Sequence, residues 1–372
     1  MRAYLDPATD PPGAEVQCEP ASSADSRGRT HRFALLPALA FEKRQAVRLL
    51  ALAMGVLLFV HVVREFGPAE LAKSIASLRW GLAAVIALAG LSHVVKTYAW
   101  RVALLGESRQ VSFARTLALR LGGEALGQLG ALGLVCGETM RVSLLSSTVP
   151  ADRRIISVTL DRAFSVFTGV LVSVGGLIAA LMVLPLTHKM THYADLLVCG
   201  LVGFLAVTVT AVRRRWPILS GTAQALSRIP LFRGWLSHKS SRVNRIESEL
   251  FDFCHIAPQA FWVSFALNVV CHGLAILEVY LILWLAGAHI RALTALAIEA
   301  LTKLVLVVGV LNPGNIGTYE GGNMLIGRML GFGGVTGLTL GLTRRVRLVF
   351  WTVVGGICLA LLSKFKRPAY ET

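Results

Sequence analysis

Two stretches of this chain set carboxylates and guanidinium groups beside residues that interrupt helices. The first runs from Gly133 to Arg141 and holds Gly137, Glu138 and Arg141. The second holds Asn312, Pro313, Gly314, Gly317, Tyr319, Glu320, Gly321 and Gly322. In each, two glycines stand a few residues apart and a Glu follows soon after. Pro removes a helical donor and Gly weakens a helix interior, so both stretches predict broken helices. Further ionisable residues stand among apolar neighbours: Glu124, Asp161, Arg162, Glu278, Glu299, Lys303 and Arg328. At membrane depth each such residue costs about 2.5–3.5 kcal/mol unless it is paired or wet. Groups kept at that cost can hold a charged ligand or carry a proton.

Spacing assigns some of them local partners. Glu299 and Lys303 stand at i, i+4, where mutual neutralisation is the simplest account. Glu138 and Arg141 at i, i+3 can pair in the same way. Asp161 and Arg162 are adjacent and point to different faces, so each needs a partner elsewhere. Glu320 follows the Gly-rich break, where it can accept hydrogen bonds from freed amides or meet a cation.

Other patterns have plainer explanations. The run from Gly67 to Ser74 resembles a phosphate-binding loop, but Ala72 stands where the second Gly is required and no strand precedes it. His188 and His192 have metal-like spacing but lie in a short loop, where a solvated pair is expected. Gly333, Gly337 and Gly341 form a small-residue stripe that close helix packing explains. Cys18, Cys136, Cys199, Cys254, Cys271 and Cys358 form no C-x-x-C pair and read as small apolar residues. There is no Ser-His-Asp arrangement with a nucleophile elbow, no HExxH and no nucleotide-binding cassette. No metal, no cofactor and no enzymatic activity are expected.

The elements that must position these residues are set by apolar runs. The chain is 55% hydrophobic, and residues 163–187, 196–212 and 259–277 contain no charged residue. Runs of about 20 residues span a bilayer core of about 30 Å. The fold class is therefore an all-α polytopic membrane protein. It has about six full spans, near 46–64, 80–104, 155–184, 193–212, 259–287 and 345–363. Two interrupted or re-entrant elements, 113–148 and 293–341, complete it. Trp80 with Trp100, and Trp262 with Trp284, bracket two spans in the manner of interfacial anchors. Residues 1–45 read as a disordered cytoplasmic tail, 46–363 as the transmembrane domain, and 364–372 as a second cytoplasmic tail.

The formal net charge of +16 does not point to nucleic acid, because Lys and Arg lie mostly between apolar runs. They report orientation instead. The basic loop 213–258 is expected in the cytoplasm. Within it Val243, Ile246, Leu250 and Phe253 share a helical face, which suits either a helix on the membrane surface or one packed under the bundle. Counting spans outward from this loop, 113–148 begins and ends inside, and 293–341 begins and ends outside. Two such elements opening from opposite sides suggest an inverted repeat with a site at its interface. On this topology Arg344, Arg345 and Arg347 fall at the outer end of the last span, which a polar cavity there would explain.

The segment from Leu311 to Gly322 resembles the Pro-Gly-x-x-Gly-x-x-Glu signature of the lysylphosphatidylglycerol synthase transmembrane-region family, also called flippase-like membrane proteins. Gly137, Glu138 and Arg141, the Asp161-Arg162 pair, and the run from Lys96 to Arg101 are similar to earlier motifs of that family. Thr343, Arg344 and Arg345 resemble its hopanoid-associated subgroup. One departure is the first element, where Leu134, Val135 and Cys136 replace the Pro-containing turn of many relatives. The resemblance covers roughly residues 46–363 and implies a role in moving or handling lipids at a bacterial inner membrane. Bifunctional members add a soluble catalytic domain. This chain ends at Thr372, just past its last span, so synthase activity is not expected.

The expected function is lipid translocation or lipid binding by a multi-pass inner-membrane protein. Glu138, Arg141, Asp161, Arg162, Asn312, Pro313, Gly314, Gly317, Glu320, Arg344 and Arg345 are the expected substrate-binding residues. The arginines would grip a phosphate, and Glu138 and Glu320 would meet a cationic group or carry a proton. The expected partner is a membrane lipid, phospholipid or other polar lipid. A homo-oligomer or lipid-biosynthesis enzymes are further partners to consider. Alternatives are an enzyme that modifies lipid headgroups and a non-transporting organiser of a biosynthetic complex.

Overall fold

At membrane depth a backbone must satisfy its own hydrogen bonds, and a helix does so within one segment. The apolar runs accordingly fold as helices. The structure, a computed structural model, describes residues 80–128, 131–184, 188–217, 220–221, 240–309 and 315–364. Its helices are α1 (Gly81–Ala103), α2 (Phe113–Gly127), α3 (Ala131–Leu144), α4 (Ala151–Val183), α5 (His188–Arg213), α6 (Ser240–Ile256), α7 (Pro258–Leu285), α8 (Ala292–Val308), α9 (Thr318–Met329) and α10 (Gly334–Lys364). Among the described residues five helices, α1, α4, α5, α7 and α10, are long and apolar enough to cross a membrane. The expected span 46–64 lies outside the described residues.

The two interrupted regions resolve differently. Region 113–148 is a pair of short helices, α2 and α3, packed on each other. The Ser112 side chain caps α2 by accepting from the Arg115 amide. A Cβ on Gly137 would lie 2.3 Å from the Gly123 carbonyl oxygen, so the two backbones touch and only Gly fits. Region 293–341 contains α8 and α9 but ends earlier than the sequence predicts. Residues 334–341 already belong to α10. The break lies at Gly331 and Gly333, whose φ angles are 80° and 88°, a conformation that favours Gly. Gly337 is a helical contact point rather than an interruption, since a Cβ there would meet the Asn323 carbonyl oxygen at 2.3 Å.

One further expectation is corrected, and one pair of alternatives is decided. Trp80, Trp262 and Trp284 are 85%, 63% and 53% exposed, as interfacial anchors should be, but Trp100 is fully buried. It sits in a cluster with Leu104, Leu119, Leu145 and Val158, and its indole N–H donates to Ser157 Oγ at 3.3 Å. The amphipathic helix α6 packs on the bundle. Phe253 is buried with Ile156, Leu160 and Phe164, and Ile246 and Leu250 lie against the same cluster.

The helices repeat. α1 runs antiparallel to α7: Gly81 meets Leu285, Val85 clusters with Val279 and Ile282, and Ser264 Oγ donates to the Ala99 carbonyl. On either side of this pair, α4 packs on α8 and α10 packs on α2. The two contacts match in detail. A Cβ on Gly176 of α4 would meet Leu296 O and Ala300 Cβ of α8, and a Cβ on Gly355 of α10 would meet Leu121 O and Ala125 Cβ of α2. The block α1–α4 is therefore repeated as α7–α10, and the antiparallel α1–α7 pair makes the repeat an inverted one. Small residues at these crossings let backbones approach, which supplies the packing energy that apolar contact cannot supply in lipid.

Candidate functional site

Each repeat builds a buried ion-pair cluster. In the first, Asp161 of α4 accepts from two guanidinium groups: Arg120 Nη1 at 3.2 Å and Arg141 Nη2 at 2.8 Å. Arg120 comes from α2 and Arg141 from α3, so one carboxylate ties three helices. Arg120 also donates to the Lys96 carbonyl at 2.9 Å and pairs with Glu124 at 3.2 Å. Arg141 pairs with Glu138 at 2.9 Å and lies over the Trp100 ring at 4.0 Å, where the negative ring face favours a cation. His93 Nδ1 stands 3.1 Å from Glu124.

The second cluster centres on Arg344 of α10, which is 6% exposed. It reaches Glu299 of α8 at 2.8 Å and the Ala275 carbonyl at 3.0 Å, and its Nε stands 3.3 Å from Glu278 of α7. Arg347 donates to Glu278 as well. Lys303 lies 3.8 Å from Glu299, and its ammonium is 3.3 Å from His272 Nδ1. Beside this cluster Glu320 caps the start of α9. Its Oε2 accepts from the Gly317 amide at 2.8 Å and its Oε1 from Arg345 Nε at 2.7 Å. Gly317 has φ 78°, which turns its N–H back toward the carboxylate. Arg345 also donates to the Asn315 carbonyl at 3.2 Å.

A cavity of about 320 Å³ joins the clusters. His93, Lys96 and Glu124 line it from the first repeat, and His272, Glu278, Glu299, Lys303 and Arg344 from the second. Counted from the matched glycine contacts, Glu124 and Glu299 are equivalent: each stands three residues after the first contact residue, Leu121 or Leu296. Both carboxylates face the same space. Leu306 is part of the wall and is 41% exposed.

The profile of the lysylphosphatidylglycerol synthase transmembrane region matches residues 48–356. The chain belongs to that family. No curated protein and no solved structure matches the chain. Membership of this lipid-associated membrane family, the five long apolar helices and the all-helical fold among the described residues make the protein a multi-pass membrane protein.

Within this member of the family the expected site residues scatter. Arg141 and Asp161 are buried partners, with Glu138 at their edge. Arg162, the next position along α4, is exposed and is not brought to the cluster. Arg344 lines the cavity; Arg345, Glu320 and Gly317 form the adjacent cap. Asn312, Pro313 and Gly314 lie outside the described residues. Arg344 and Arg345 do not sit at a helix end: they lie within α10, a third of the way along it. His93, Lys96, Arg120 and His272 were not singled out for the site. The signal for them was present, since each is a polar residue inside a helix whose other residues are largely apolar. His188 and His192 lie at the start of α5 rather than in a loop, with ring centroids 5.3 Å apart and planes tilted by 43°, and no metal-binding group of three or more ligands occurs among the described residues.

Proposed function

We propose that this protein translocates a polar lipid, or carries one, across a bacterial inner membrane, without altering it chemically. The headgroup occupies the cavity between the inverted repeats while the acyl chains stay in the bilayer. The observation that carries the reading is the position of a charged cavity at the contact of two inverted repeats, with the partly exposed Leu306 in its wall. Inverted-repeat transporters place their sites at this interface, because rocking one repeat against the other exposes it to each side in turn. At about 320 Å³ the space is at the lower limit of small-molecule pockets and suits a headgroup without its chains.

The test is leaflet movement of fluorescent phospholipids in proteoliposomes, with Glu124→Gln and Glu299→Gln alongside. Movement by the wild type that falls at least tenfold in the variants is the expected result. Movement unaffected by both substitutions would remove the cavity from the route. A lipid that changes mass during incubation would replace translocation with headgroup chemistry.

A further inference from the structure

The charges that line the cavity do not cancel. Lys96, Lys303, Arg344 and Arg347 line it with Glu124, Glu278 and Glu299, a formal excess of one positive charge among the Lys, Arg and Glu residues. The carboxylates are committed: Glu278 to Arg344 and Arg347, Glu299 to Arg344 and Lys303, and Glu124 to Arg120 and His93. Lys96 has no ion-pair partner within 4.0 Å among the described residues, although it lies near enough to Glu124 to act on it electrostatically. Lys303 and His272 of the opposite repeat line the same cavity. Two ammonium groups, one from each repeat, therefore line a single cavity, where like charges repel.

A single anion between them would turn this repulsion into attraction. We propose that the cavity binds one phosphodiester monoanion, held by Lys96 from the first repeat and Lys303 from the second. His272 is a positioning residue: it accepts from the Lys303 ammonium at 3.3 Å and so fixes that group in the cavity wall. The charge of a phosphodiester matches the excess. Lysine presents a compact point charge with several donors, which suits a tetrahedral oxyanion in more than one pose. This inference rests on the cavity being a headgroup site, and the two claims separate experimentally.

The experiment uses the full-length protein. Soluble probes, inorganic phosphate and sn-glycero-3-phosphoglycerol, are titrated calorimetrically in detergent. Phosphatidylglycerol and diacylglycerol are compared in nanodiscs by native mass spectrometry. The expected result is one saturable anion per chain, weakened at least tenfold by Lys96→Gln and by Lys303→Gln and unchanged by Lys189→Gln. Retention of phosphatidylglycerol over diacylglycerol identifies a lipid headgroup as the source. Binding of the soluble probes without that preference identifies a free phosphate. Absence of saturable binding by the wild type, with every probe, overturns the proposal whatever the variants do. So does equal binding by wild type and both lysine variants. Binding without leaflet movement keeps the anion site and removes translocation. Leaflet movement that both lysine variants leave intact does the reverse.

Discussion

Asp161 has a single carboxylate and two guanidinium partners from different helices. Removing it leaves two buried cations without their shared counter-charge, the costly way to break an ion pair. Asp161→Asn is expected to destabilise the protein by about 3–5 kcal/mol, read as a lowered midpoint of thermal unfolding in detergent. Glu138 meets the same Arg141 but its side chain is 27% exposed, so Glu138→Gln should cost no more than about 1 kcal/mol. Glu320 offers a second comparison. In Glu320→Gln the amide oxygen can still accept from Gly317, whereas Glu320→Ala loses both that bond and Arg345. The Ala variant should unfold at the lower temperature, and similar losses would mean that Arg345 alone matters. Of these contacts the sequence made only the local ones legible. Glu138 and Arg141 lie one helical turn apart and could be paired on spacing. Arg120 and Asp161 are separated by 41 positions, and nothing in either neighbourhood names the other.

At the scale of helices, the matched glycines carry the argument. Gly176 and Gly355 sit where a Cβ would press on a backbone carbonyl oxygen at 2.7 Å and 2.3 Å. Their neighbours Gly175 and Gly356 have nothing within 4 Å. Gly176→Ala and Gly355→Ala should therefore overpack the crossings and cost about 1–3 kcal/mol. Gly175→Ala and Gly356→Ala should be neutral or stabilising, because Ala forms helix better than Gly by about 1 kcal/mol. Unfolding midpoints of the four variants check the contrast, and equal shifts in all of them would remove the close-contact explanation. Helix positions were largely readable in advance, since an apolar run of sufficient length has few alternatives. The start of α10 was not. Glycine breaks a helix in one context and permits close packing in another, and only the neighbouring helix decides which.

For the whole molecule, the inverted repeat turns the distribution of basic loops into a topology. With α6 and its basic neighbours in the cytoplasm, Arg109 lies inside and His289, between α7 and α8, lies outside. In a chain whose native cysteines are replaced by Ala, Arg109→Cys should react with a membrane-impermeant thiol reagent only after the membrane is opened. His289→Cys should react in intact cells. The opposite pattern would invert the assignment. The repeat itself left only a faint trace in the sequence, for a physical reason. α2 supplies Arg120 to a carboxylate on α4, whereas α8 supplies the carboxylate Glu299 to an arginine on α10. The same pair of helices is bridged in both halves with the charges exchanged, so geometry is retained while residue types are not.

The arrangement of the second cluster also bears on how the chain enters the membrane during synthesis. Glu278 and Glu299 lie on α7 and α8, yet the arginines that neutralise them, Arg344 and Arg347, lie on α10, the last helix of the described chain. Until that helix emerges from the ribosome, two carboxylates wait at membrane depth without their arginine partners. The insertion machinery must therefore hold α7 and α8 in a wet or protein-lined space until about 45 more residues have been translated. A nascent chain stalled before Gly334 would be an unfinished charge balance, and a ready substrate for membrane quality-control proteases.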